Sequence, residues 1–333
     1  MFQNILKERN LPKLLSRNEM LNILFEEEYG YFPPLPTNLS WKVEENIVGS
    51  FCAGKAVLNK ITMNCELGGK VFSFPFCLAL PTAKGKHPFF VHINFRDSVP
   101  DHYMPTEELI DNGFAVFSFC YNDITSDNDD FTDGLAGVLY ENGKRKLNDA
   151  GKIAIWAWAA QRVMDYAQTL DDVLDLKTAV VCGHSRLGKT ALLTAATDQR
   201  FAFAYSNDSG CSGAAITRNK KGETVKDIYK KFPYWFCENY RKYIDKENEL
   251  PFDQNYLIAA NVPHKVYVAS AVEDGWACPD AEYLSCVAAS EYYVKNGLKG
   301  FEHPDRLPEI GDVFHNGDIA YHMRDFGHAL NRT

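Results

Sequence analysis

The chain has 333 residues, 46% hydrophobic and 13% aromatic, enough for a deep core in one large domain or two ordinary ones. Its 35 Lys and Arg against 44 Asp and Glu give a net charge of −9 without a basic cluster, which argues against nucleic acid or an anionic membrane as partner. No stretch approaches the ~20 apolar residues of a membrane-spanning helix.

In chain order, residues 1–40 read as a helical preface. Positions 18–25 are helix-periodic, and Pro33, Pro34 and Pro36 end the pattern. From about Trp41 to Leu80 apolar and polar residues alternate between turn residues, as in an antiparallel meander. From His87 the pattern changes to short apolar runs at 89–95, 115–119, 179–182, 202–206 and 266–270. Strands buried on both faces read this way, and helices are predicted between them at 153–166 and 191–196. The expectation is a three-layer α/β sandwich: a mostly parallel central sheet, antiparallel leading strands, and helices on both faces. No linker, repeat or low-complexity tract divides the chain, so residues 1–333 are expected to form one domain.

The opening residues MFQNILKERNLPKLL are charged and interrupted rather than signal-like. Nine scattered cysteines form no C-x-x-C pair, which speaks against structural zinc and for buried, reduced thiols in a cytoplasmic protein. A Cys211–Cys286 bridge stays open at this level, as does the oligomeric state.

The most informative segment is Gly183-His184-Ser185-Arg186-Leu187-Gly188-Lys189-Thr190. Read as G-x-x-x-x-G-K-[ST], it is a P-loop, with Lys189 on phosphates and Thr190 on magnesium. Read as a variant of G-x-S-x-G, it is a nucleophile elbow that presents Ser185 for acyl transfer. The elbow requires an acid and then a histidine downstream, and both follow. Asp274 comes after the apolar run at 266–272, and His328 lies in a Gly-containing loop near the end of the sequence. Ser185 would give its proton to His328, and Asp274 would fix the imidazole tautomer. This order favours the elbow, although glycine stands at Gly188 where the shorter motif has it at position 187.

That offset resembles the glucuronoyl esterases, carbohydrate esterases of the α/β-hydrolase fold, whose elbow reads G-C-S-R-x-G-K. The stretch 206–215 (Ser-Asn-Asp-Ser-Gly-Cys-Ser-Gly-Ala-Ala), the acid loop Asp274-Gly275-Trp276-Ala277-Cys278-Pro279, and the preface ending Glu28-Tyr29-Gly30-Tyr31-Phe32-Pro33-Pro34 are also similar to that family. The resemblance implies Ser185 as nucleophile and His328 as base. It implies Arg186 at the oxyanion through its N–H and guanidinium, Lys189 on the sugar, and Trp276 packed against it. The acid is favoured at Asp274, with Asp208 as the alternative. Secreted fungal members carry a cysteine before the serine and another after the histidine; this sequence has His184 and Ala329 there, and it stops five residues after His328, where the resemblance implies a closing helix. The implied substrate is a carbohydrate ester, a 4-O-methyl-glucuronate ester first and acetylated xylo-oligosaccharide second, with no metal or cofactor.

Other residues have plainer readings. His92, His102, His303, His315 and His322 are expected to be structural, and Trp156 and Trp158 to pack in a helix. Trp276 has a core reading beside the sugar reading. Asp127, Asp129 and Asp130 lack the glycine and distal glutamate of a calcium loop and read as a solvated acidic loop. The loop 95–98, expected to supply a second oxyanion donor, has no H-G-G signature.

Overall fold

The computed structural model describes residues 2–331. It opens with α1 (Phe2–Arg9) and α2 (Arg17–Leu24), the second started by a capping box between Ser16 and Glu19. Met20, Leu21 and Leu24 bury one face of α2, and a π-helical turn at Phe25–Tyr29 carries Glu28 and Tyr29 into the interior. The preface is shorter than expected. Pro33, Pro34 and Pro36 fix an extended backbone that cannot donate helical hydrogen bonds, and β1 (Asn38–Glu44) already begins inside the stretch read as helical.

The meander follows as β2 (Ala56–Leu67) and β3 (Lys70–Pro81), turned by Gly68 and Gly69 at φ 56° and 78°. Then come β4 (His87–Asn94), α3 (Thr106–Asp111), β5 (Ala115–Cys120), α4 (Gly134–Leu139) and α5 (Lys152–Ala167). The second half holds β6 (Leu174–His184), α6 (Arg186–Thr197), β7 (Phe203–Asn207), α7 (Val225–Lys231), α8 (Asn255–Ala259) and β8 (Lys265–Ala271). It continues with α9 (Pro279–Lys295), β9 (Val313–Phe314) and β10 (Ile319–Arg324).

Among the described residues ten strands form one sheet in the order β1-β2-β3-β5-β4-β6-β7-β8-β10-β9. The run from β5 through β10 is parallel, while the leading strands and β9 pair antiparallel. The period of two along β5 sorts its side chains. Ala115, Phe117 and Phe119 enter the large core and Val116 a smaller cluster with Met104 and Ile110 on the opposite face. The helix α5 is buried nearly all round, and Trp156 and Trp158 are fully buried there, their indole N–H groups bonded to the Thr125 and Pro34 carbonyls. They serve packing, as the sequence suggests. Cys211 and Cys286 are separate buried thiols, so the bridge left open does not form.

This topology matters because successive parallel strands deliver their C-terminal ends to one rim. Ser185, Asp208 and Asp274 follow β6, β7 and β8 there, and the His328 loop follows β10.

Candidate active site

Only one residue separates β6 from α6, and that residue is Ser185. It makes the turn at φ 58° and ψ −126°, backbone that L-residues avoid and that tertiary structure must impose. Glycine is required two residues before it, since a Cβ on Gly183 would lie 2.2 Å from the Leu187 carbonyl oxygen. Leu187 is itself fully buried, and the glycine displaced to Gly188 lets α6 pack closely on β7, since a Cβ there would lie 3.1–3.2 Å from atoms of Ser206, Asn207 and Ser209. The Ser185 N–H donates to the Asn207 carbonyl at 2.8 Å, tying the elbow to β7. Ser185 therefore stands at the head of α6, where the first backbone N–H groups have no partner within the helix.

His328 presents Nδ1 to Asp274 Oδ2 at 2.6 Å. Asp274 is buried and also accepts the Ala277 N–H at 3.2 Å. Burial alone would raise its carboxyl pKa, but the bond and charge of His328 with the Ala277 N–H hold it below the ordinary value. The reciprocal effect acts on His328. Partial desolvation disfavours the charged ring, yet the Asp274 bond and charge prevail and raise its pKa. With Nδ1–H donated to Asp274, Nε2 carries the basic lone pair.

Asp208 meets a different partner. It sits at φ 45° just past β7, and its carboxylate is ion-paired with Arg324 from the end of β10. Burial pushes its pKa up to about 6 while Arg324 pulls it down. Asp208, Asp274 and His328 bring ligating atoms within 4.8 Å of one another, so the two carboxylates are close neighbours with separate attachments. Arg324 and the Asn207 amide both donate to the Ala329 carbonyl, which anchors the loop carrying His328.

His184, in the position before the serine, is buried and accepts the Asn207 amide on Nδ1 at 2.7 Å. Burial drives its pKa down to about 3, with the His328 and Arg324 charges pushing the same way. Its neutral ring packs 4.5 Å from that of His328 and stacks on Tyr103 at 5.3 Å. No cation at this position competes with a protonated His328.

Ser185, Arg186, Lys189, Asp274, Trp276 and His328 all line one open cavity of about 330 Å³. Trp276 is 49% exposed at its edge, which excludes the core reading, and its Nε1 donates to Glu223 at 3.1 Å. Lys189 is buried and donates to the Ser209 and Cys211 carbonyls, so its ammonium meets the cavity already held by backbone. The Arg186 guanidinium reaches the cavity already held at one end. It is ion-paired with Asp127 and lies 4.7 Å from the centre of the Trp235 ring. The acidic loop is thus not wholly solvated as expected: Asp129 and Asp130 are exposed, but Asp127 is drawn in by this pair.

The same geometry removes the phosphate reading. The Thr190 hydroxyl is buried and donates back to the Arg186 carbonyl at 2.9 Å, and the Lys189 ammonium is committed to two carbonyls. Of the histidines expected to be structural, His92 is fully enclosed and His322 bonds the Tyr267 hydroxyl at 3.0 Å. The expected loop at 95–98 is shaped by an Arg96–Asp101 pair. The sequence reading gave no site role to Asp127, Glu223, Phe232 and Trp235, which line or brace the cavity; all lie far in sequence from the elbow, and no local motif marks them.

A family model described as glucuronyl esterase, fungi, matches residues 63–297. The chain is 39% identical over 226 residues to a carbohydrate esterase from an unknown prokaryotic organism, covering 67% of this chain and 52% of that protein. It is 27% identical over 289 residues to the 4-O-methyl-glucuronoyl methylesterase of Podospora anserina, covering 81% of this chain and 52% of that one. The chain thus spans about half the length of these curated relatives. Among solved structures, a promiscuous CE15 esterase from a marine bacterial metagenome superposes with a TM-score of 0.84 at 30% identity, covering 95% of this chain and 87% of that one. With a serine elbow at the head of α6, a parallel sheet delivering acid and histidine to the same rim, and a match over most of its length, the chain belongs to the glucuronoyl esterase family of the α/β-hydrolase fold.

Proposed function

We propose that this chain is a serine carboxylic-ester hydrolase for carbohydrate esters, with the ester of a 4-O-methyl-glucuronate as its preferred substrate. The observation that carries this reading is the Asp274–His328 hydrogen bond on the cavity that also exposes the strained Ser185. In this mechanism Ser185 Oγ attacks the ester carbonyl while His328 Nε2 takes its proton. Asp274 stabilises the imidazolium that forms. The developing oxyanion is met by the free N–H groups at the start of α6, with the positive charge of Arg186 beside them. His328 then returns the proton to the departing alcohol. Water, deprotonated in turn by His328, attacks the acyl-enzyme and releases the free uronate and Ser185.

Recognition of the sugar falls to Trp276 as an exposed platform and to Lys189 and Glu223, which place one cationic and one anionic group along the cavity. Steady-state turnover of a methyl glucuronate ester beside an acetylated xylo-oligosaccharide tests the substrate class. The expected result is a higher kcat/KM for the glucuronate ester, lost in Ser185→Ala. Equal or greater turnover of the acetyl ester would overturn the substrate assignment, and turnover undiminished in Ser185→Ala would overturn the mechanism.

A further inference from the structure

Asp127 lies in a loop between β5 and α4 that neither motif nor family likeness marks, 59 residues from the elbow. Its carboxylate nevertheless gathers three donors from separate parts of the chain. Oδ2 accepts Arg186 Nη1 and the Tyr121 hydroxyl, the latter at 2.8 Å, and Oδ1 accepts Trp235 Nε1 at 2.7 Å. Its backbone is held as well: the carbonyl accepts the Tyr234 hydroxyl at 3.0 Å and the N–H donates to Asn122 Oδ1 at 3.1 Å. The loop around it is pinned from below by the fully buried Lys152, whose ammonium donates to the Ser126 and Asp130 carbonyls at 2.7 and 2.5 Å.

We infer that Asp127 is a positioning residue for the ester hydrolysis proposed above, fixing the Arg186 guanidinium and the Trp235 ring against the elbow. An arginine side chain has four flexible torsions, and a charge that must meet an oxyanion works best when it is already in place. The anchoring occupies one end of the guanidinium and leaves the Arg186 Nε–H buried with no hydrogen-bond partner among the described residues. A buried orphan donor carries a desolvation cost, and a transient anion arriving beside Ser185 is a group that relieves it. Phe232, stacked face to face on Trp235 at 3.9 Å, and Trp235 itself flank the guanidinium, which keeps part of its surface on the cavity.

The test is a double-mutant cycle of Asp127→Asn with Arg186→Ala, scored as kcat and KM on a methyl glucuronate ester. Rates are counted per active site by fluorophosphonate titration of Ser185, so that any unfolded fraction drops out. Asp127→Asn should lower kcat roughly tenfold with KM little changed, and should add almost nothing once Arg186 is gone. Tyr121→Phe, which removes one donor and keeps the carboxylate charge, should give a smaller loss in the same direction. Full kcat in Asp127→Asn, or a loss that multiplies with that of Arg186→Ala, would overturn the inference and leave the esterase reading standing. A wild-type protein that is labelled by neither probe nor ester would overturn that reading, and this inference with it.

Discussion

Asp208 and Asp274 end adjacent parallel strands on the same rim, yet their surroundings give them different work. Asp274 faces the imidazole of His328 at 2.6 Å. Asp208 faces the guanidinium of Arg324, and through Asn207 and Arg324 its neighbourhood holds the Ala329 carbonyl beside the histidine. A strand end brings a carboxylate to the site; the cation it meets decides its part. In the mechanism proposed above, Asp274 polarises the base and Asp208 braces the loop that carries it.

The largest expected effect falls on Asp274→Asn. With the tautomer and the imidazolium both unsupported, kcat should drop by about 10⁴-fold. Asp208→Asn should cost far less in turnover per folded molecule and more in stability. It strands the buried Arg324, a defect of about 3 kcal/mol that thermal or urea unfolding would register. If the two variants were equally inactive while Asp208→Asn kept its stability, the brace would have to be reassigned as part of the proton-transfer system.

The pH profile separates the aspartates more finely. The proposed mechanism needs neutral His328, whose pKa is raised, so kcat/KM should climb as pH rises through a value above the ~6.5 of a free imidazole. In Asp274→Asn the residual activity should reach its plateau at lower pH, because the anion that raised the histidine is gone. Asp208 also raises His328, but with less weight, so Asp208→Asn should shift the same limb less. A limb unmoved by Asp274→Asn would separate that carboxylate from the base. The smallest effect is expected at the cavity edge: Trp276→Ala should raise KM several-fold, around 1 kcal/mol, with kcat nearly unchanged.

The parts of the fold legible in the sequence are those with a local signature. The runs at 89–95, 115–119, 179–182, 202–206 and 266–270 became the parallel strands because burial on both faces demands continuous apolar residues. The elbow was readable because Gly183 and Gly188 answer to contacts within a few residues or one adjacent strand. By contrast β10, with Ile319 and Tyr321 buried but followed by His322 and Arg324, looks too polar for a core strand. Its polar side chains make sense only beside Tyr267 and Asp208. Likewise α9 starts at Pro279 inside what reads as an acid loop, since its apolar residues point several ways into the core and α8. Asp127 shows the limit most clearly. Its sequence neighbours suggest a solvated acidic loop, and its partners at 121, 186 and 235 are joined only by the tertiary fold.

The central claim is that Ser185 is an activated nucleophile, and covalent capture tests it most directly. The protein is treated with a fluorophosphonate and the modified peptide mapped by mass spectrometry, in the wild type and in Asp274→Asn. Stoichiometric modification at Ser185, strongly slowed in the variant, is the predicted result. An unmodified Ser185, or modification at the same rate in both proteins, would contradict it.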